Sequence, residues 1–355
     1  MLLHHLLPAA LPVTAWPLLL AAGLACSVAP TSAQISHPHD RAAAVQLAGS
    51  VLRIEAQRAS GGLSLGSGVM VGRDLVITNC HVTRDATRLH VVRGGVRWLV
   101  AAQQADIDHD LCLLQAPGVQ STVVALATAQ PLQMGQAVTA LGYTGGVDLQ
   151  HSFGAVVDLH RWQDGVVVQT SNGFNSGASG GGLFNADGQL VGILTFRLRG
   201  GAQHYFAAPA AWVHRLVDAA ASGGLQPVAP LDPSRLPYWQ VQGAQQPRFL
   251  QANVLVGARR WGDLAGLARG WLQDDVSDGE PWYLLGLALS ELQQQAEAAP
   301  ALDCALRLQP LRAAARIRRD ALAAAAALIP PAANTPAGTT TPQAPTDTLA
   351  CPLAA

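Results

Sequence analysis

Lysine is absent: all 22 basic residues are arginine, and this carries no functional reading of its own. Charge of either sign is scarce. Only 13% of the 355 residues are charged and the formal net charge is -1. No basic face is therefore available to release counterions from DNA or RNA, and nucleic-acid binding is disfavoured from the start. Half of the residues are apolar, which argues against a disordered chain and for a packed core. Long uninterrupted hydrophobic runs are also missing. The leucine- and alanine-rich stretch from Leu2 to Ala25 is broken by Pro8, Pro12 and Pro17, and the run from Ala321 to Ile329 is too short to cross a bilayer, so no transmembrane span is expected in the mature chain. Metal and phosphate signatures are lacking too. His37, His39 and Asp40 have no further ligands at structural-zinc spacing, and Tyr143-Thr144-Gly145-Gly146 fits no phosphate-loop pattern. No cofactor and no metal are expected.

The segments that are present fall into six stretches. Residues 1–33 read as a signal peptide, with small residues at Thr31 and Ala33 before a cut at Gln34; lipidation at Cys26 is the less favoured reading, because Gly23 stands where a branched aliphatic is usual. Residues 34–44 read as a solvated arm. From 45 to 220 the pattern is short β-branched runs separated by glycine turns, which predicts an all-β barrel or sandwich. Its strands are expected at Ser50 to Glu55, Gly68 to Val71, Leu75 to Thr78, Leu89 to Val92, Val123 to Leu126, Ala137 to Leu141, Gly165 to Gln169 and Gln189 to Phe196. An amphipathic helix over Ala208 to Ala220 closes the unit. Residues 221–246, rich in glycine and proline, read as a linker. Residues 247–328 have helical spacing, and Trp282, Leu285, Gly286, Leu289, Ala298, Ala305 and Pro310 resemble one tetratricopeptide repeat, a surface for a protein partner. Residues 329–355 read as a disordered Pro/Thr/Ala tail.

Three motifs carry chemistry. The loop Gly177-Ala178-Ser179-Gly180-Gly181 can expose a serine hydroxyl while glycines let the backbone N–H groups of Gly177 and Ser179 approach a developing oxyanion. His81 directly follows a hydrophobic strand, and Asp110 directly precedes another. In the order His, Asp, Ser within a β-rich chain, the three fit a catalytic triad.

On these motifs, together with Gly66-Ser67-Gly68-Val69 and Asp110-Leu111-Cys112-Leu113-Leu114, the chain resembles trypsin-like serine proteases, in particular the bacterial periplasmic Deg-type branch. The resemblance covers roughly residues 45 to 217 and implies two packed six-stranded barrels with the triad at their junction. It implies His81 as general base and then acid, Asp110 as its orienting carboxylate, and Ser179 as the nucleophile that forms an acyl-enzyme. Polypeptide substrates and a periplasmic or secreted location follow from the same resemblance. Gly173 falls at the pocket-floor position that is acidic in trypsin, with Thr195, Phe196 and Arg197 on one wall and Phe206 and Ala207 on the other, so cleavage after arginine or lysine lacks its counter-charge. Within this fold Cys80 and Cys112 fall on neighbouring strands, where they form either a disulfide or two buried thiols. Cys304 is then left as a helix-core residue and Cys351 as a tail thiol open to intermolecular pairing. The alternative function is a catalytically silent protease fold that binds peptides or proteins and uses its helical domain as the interaction surface.

Overall fold

The computed structural model describes residues 38–128, 131–198, 204–328 and 350–352. The signal segment, with Cys26, lies outside these residues, as does most of the tail. Helix α1 (Pro38–Leu47) begins within the arm expected to be solvated, and Ala44 there is buried.

The first sheet contains β1 (Val51–Arg58), β2 (Leu63–Gly72), β3 (Leu75–Asn79), β4 (Ala86–Arg93), β5 (Val96–Leu99), β6 (Ala102–Asp106) and β7 (Leu111–Gln115), with the one-turn helix α2 (Cys80–Thr83) after β3. Its strands are ordered β6-β7-β3-β2-β1-β4-β5 and pair antiparallel. The central strands β3 and β7 are buried on both faces. That is why Leu-Val-Ile-Thr and Leu-Cys-Leu-Leu read as continuous apolar runs rather than alternating ones.

The second sheet is a closed six-stranded barrel made of β8 (Ala137–Thr144), β9 (Asp148–Trp162), β10 (Gly165–Thr170), β11 (Gly182–Phe184), β12 (Leu190–Leu198) and β13 (His204–Pro209). The stretch Val123 to Leu126, expected as a strand, makes only an isolated bridge from Leu126 to Leu190. Conversely β9, 15 residues long, has no strand signal in its sequence, because its serine, glycine, histidine and aspartate interrupt the apolar pattern. Helix α3 (Ala210–Ala221) then packs Trp212, Val213 and Leu216 inward.

The segment expected to be a linker is instead a strap laid across the first sheet. Its β14 (Gln226–Pro227) adds to the free edge of β6. Beyond it Gln103 Nε2 donates to Ala229 O at 2.7 Å and Leu231 N donates to Arg84 O. The Arg84 guanidinium in turn donates to the carbonyls of Asp232, Pro233 and Arg235. Tyr238 at the end of the strap is buried.

Five helices follow: α4 (Arg248–Gly257), α5 (Trp261–Asp274), α6 (Gly279–Glu291), α7 (Gln295–Leu308) and α8 (Ala313–Ala327). Helices α6 and α7 pack so closely that a Cβ on Gly286 would lie 2.6 Å from Leu302. The helices share one core with the second barrel, in which Phe206 of β13, Trp212 of α3 and Phe249 of α4 belong to the same cluster as Leu285. Cys304 and Cys351 are joined to each other within the chain. The tail therefore returns to α7, and Cys351 is not a thiol open to pairing between molecules.

Candidate active site

The site is assembled at the end of β3, the start of β7 and the loop between β10 and β11. Hydrogen bonds from β3 pair Asn79 with Leu111, and the chain continues past this pair on each side to His81 and Asp110. Asp110 has φ 58°, a left-handed conformation that aspartate tolerates better than most residues. Its carbonyl accepts from Cys80 N at 3.1 Å and from Asn79 Nδ2 at 2.9 Å. Its carboxylate accepts from His81 N through Oδ1 at 2.8 Å and lies 2.6 Å from His81 Nδ1 through Oδ2. A disulfide between Cys80 and Cys112, with Cα atoms 4.9 Å apart, ties the same two strands beside the pair.

This arrangement sets the protonation of His81. Burial opposes charge on the imidazole, but the charge and hydrogen bond of Asp110 overcome it and raise the pKa above the usual 6.5. The carboxylate also holds a proton on Nδ1, which in the neutral ring leaves the lone pair on Nε2.

Ser179 sits on a loop that only glycine permits. Gly177 has φ +95°, and a Cβ there would lie 2.5 Å from Tyr143 O; Gly180 has φ +86°, and a Cβ there would lie 2.1 Å from Ser67 O. Ser67, fully buried, clamps the loop. Its Oγ donates to Gly177 O at 2.8 Å and accepts from Tyr143 N at 2.7 Å, while its N–H donates to Ser179 O at 2.8 Å. The Ala178 N–H is spent on Asn175 O, whereas among the described residues the N–H groups of Gly177 and Ser179 have no protein acceptor. These two amides flank Ala178 on one turn and are left free to donate to a ligand. Ser179 Oγ turns toward Thr195 O at 3.5 Å, and no hydrogen bond joins it to His81 among the described residues.

The expected specificity residues are only partly together. Gly173 is exposed, and a Cβ on it would be 3.6 Å from Tyr205 Oη. Arg197 is exposed and donates to Asn175 Oδ1 at 3.4 Å. Thr195 is buried, its hydroxyl donating to Ile193 O at 2.7 Å. Phe206 and Ala207, expected in the pocket wall, are fully buried but in different clusters: Phe206 lies with Phe196 and Phe249, and Ala207 with Phe174, Ala178 and Tyr205. Strand alternation separates them: Tyr205 and Ala207 point to one side of β13, while Phe206 points to the other and stacks on Phe196 at 4.7 Å. Sequence reading also misses Ser67, Asn79 and Trp239. Trp239 is the one with a usable signal, an aromatic pair Tyr238-Trp239 in a stretch otherwise read as a linker.

Residues 66–193 match the family of the trypsin-like peptidase domain. The chain carries a trypsin-like peptidase domain. The domain is similar to "Probable periplasmic serine endoprotease DegP-like" proteins of Chlamydia muridarum, 29% identical over 169 residues, and of Marinomonas sp., 38% identical over 136 residues. These matches cover 45% and 37% of this chain and 34% and 29% of those proteins. It is also 32% identical over 181 residues to the mouse "Serine protease HTRA4", covering 47% of this chain and 37% of that protein. The chain thus spans about a third of the length of the curated relatives it matches. The fold is shared with the Rv3671c protease from M. tuberculosis, active form, at 22% identity and a TM-score of 0.50, covering 63% of this chain and 98% of that one. Two β-barrel-type sheets followed by a helical region are common ground between the peptidase domain's expected and observed architecture.

One other cluster has metal-ligating residue types. Asp158, His160 and Glu280 bring ligand atoms within 4.8 Å of one another. The chemistry is that of an ion-pair network. Both His160 nitrogens are engaged, Nδ1 with Glu280 at 2.8 Å and Nε2 with Gln169 at 3.0 Å, and Arg312 grips both oxygens of Asp158. Burial opposes the imidazolium, yet Glu280 and Asp158 raise the His160 pKa to about 9, so the ring holds a proton where a metal would need a lone pair.

Proposed function

We propose that the chain is an exported serine endopeptidase that hydrolyses polypeptides through His81, Asp110 and Ser179. The observation that carries this reading is the combination of the Asp110–His81 pair, at 2.6 Å, with a serine whose own amide and that of Gly177 have no protein acceptor. In the reaction, Ser179 Oγ turns from the Thr195 carbonyl toward His81 Nε2, gives up its proton and forms a bond to the scissile carbonyl carbon. The amides of Gly177 and Ser179 receive the negative oxygen. His81, now an imidazolium stabilised by Asp110, returns the proton to the leaving amine, and water then attacks the acyl-enzyme by the same route.

An absent acidic side chain at Gly173 favours substrates with uncharged residues at the cleavage site over arginine or lysine. Two disulfides favour an oxidising compartment, in keeping with export by residues 1–33. No helix among the described residues is long and apolar enough to cross a membrane. The close approach of α6 and α7 at Gly286 supports a repeat-like helical hairpin that would dock a protein partner.

Treating the mature chain and its Ser179→Ala variant with a fluorophosphonate probe, then assaying both on casein, tests the reading. Labelling and cleavage by the wild type alone are expected. Absence of both, under oxidising and reducing conditions, would transfer the assignment to a silent peptide-binding fold.

A further inference from the structure

The Asp110 carboxylate is 1% exposed and receives a donor from outside the barrels. Two of its partners, the backbone N–H and Nδ1 of His81, come from the peptidase domain. A further donor is the indole Nε1–H of Trp239, 3.0 Å from Oδ2, carried by the strap after α3. The hydroxyl of Thr195, on the barrel side of the same junction, is spent on Ile193 O and makes no bond to Asp110. Trp239 is held firmly: its ring stacks on Phe196 at 5.1 Å with an interplanar angle of 8°, and meets the edge of His81 at 5.6 Å and 84°. The residue before it is fixed as well. Tyr238 N donates to Asp108 O at 3.0 Å, and Arg235 pairs with Asp108 at 2.6 Å.

We propose that Trp239 is a positioning residue of the catalytic centre, so that the strap beyond the barrels completes the site by fixing the Asp110 carboxylate and covering the Asp110–His81 pair. The inference rests on the serine-protease reading of that pair. Its physical basis is that a buried carboxylate needs donors on both oxygens, and that a neutral N–H shares the charge otherwise directed at the imidazole. With Oδ2 held by two donors and Oδ1 by the His81 N–H, the carboxylate cannot rotate away. The titratable groups around the pair are few. Tyr238 faces Asp110 from the strap, with its phenol pushed up by burial and by Asp110; the Asp108–Arg235 pair lies in the solvent above, and Asp106 pairs with His109 on the loop between β6 and β7.

The variant Trp239→Phe keeps an aromatic ring and removes the donor. In the full chain it should lower kcat on a fluorogenic peptide cut by the wild type roughly tenfold, the scale of one hydrogen bond to a charged group, with KM little changed. Freed of the indole, Asp110 holds the imidazolium proton more tightly, so the acid limb of the pH–rate profile should move to higher pH by about 0.5. The His81 ring titration, followed by NMR and assigned with His81→Gln, should move by the same amount. An unmoved His81 titration overturns the proposal even if the rate falls, because a merely structural tryptophan would cost folded protein without touching that pKa. The NMR titration does not depend on turnover. Should the wild type fail to label with fluorophosphonate, the protease reading falls while the Trp239–Asp110 contact is still judged.

Discussion

Asp110 combines a left-handed backbone with full burial and three donors on its carboxylate, so its side chain has one place to go. Replacing it by asparagine keeps the shape but offers His81 Nδ1 an amide that can be satisfied by the wrong tautomer. Asp110→Asn is expected to lower kcat on the order of 10⁴-fold. It should also let the His81 pKa drop, since burial then acts without the opposing carboxylate; both effects are read from a pH–rate profile and the ring titration. In the wild type, activity should rise with pH through a limb above 6.5, the raised His81 value, because only the neutral imidazole accepts the serine proton. His81, Asp110 and Ser179 could be picked out in the sequence because nucleophilic chemistry demands those residue types beside strands and glycine turns. Trp239 could not. Its role depends on where the strap returns, and nothing in Leu-Pro-Tyr-Trp states which carboxylate lies beneath.

At the scale of elements, β3 and β7 are the frame on which His81 and Asp110 hang, and they are joined twice, by their ladder and by the Cys80–Cys112 bond. Closing this loop is worth about 3–4 kcal/mol in the chain-entropy account. Reductant should therefore lower the denaturant midpoint of the wild type by more than that of a Cys80→Ser/Cys112→Ser double variant, in which only the Cys304–Cys351 bond is left to break. Because the ladder persists, peptidase activity of the double variant under native conditions should fall less than its stability does. Strands β3 and β7 were legible because both faces are buried and the sequence is apolar throughout. Strand β9 was not, since the side that faces the helices supplies Asp158 and His160 to a polar seam rather than to a greasy core. A related limit holds for the pocket wall: position along β13 can be counted, but which side of the strand a residue occupies is fixed by pairing.

The whole molecule is joined by buried charge as well as by apolar contact. His160 of β9 meets Glu280 of α6, and Asp158 meets Arg312 ahead of α8, all in the seam between the second barrel and the helices. A histidine raised from 6.5 to about 9 on folding adds on the order of 3 kcal/mol. That contribution is complete below pH 6.5, where folded and unfolded chains both hold the proton, and it is lost as pH rises through about 9. Asp278, raised to about 6 by burial and by Glu280, acts in the same sense over a lower window, costing stability as pH climbs from its usual value to about 6. The melting temperature should therefore decline between pH 6.5 and 9, and His160→Gln should flatten that decline; a slope unchanged in the variant would refute the assignment. Composition announced two regions, β then α, but not their seam. Polar residues scattered over β9, α6 and the start of α8 show no pattern until the fold brings them together.

The bond between Cys304 and Cys351 makes the last part of the chain a covalent ring. A peptidase that severed the backbone anywhere between those two positions would release nothing. The nicked protein would run as a single band on a non-reducing gel and fall into two pieces only when the sulfurs were parted, so damage there is masked until the protein meets a reducing compartment.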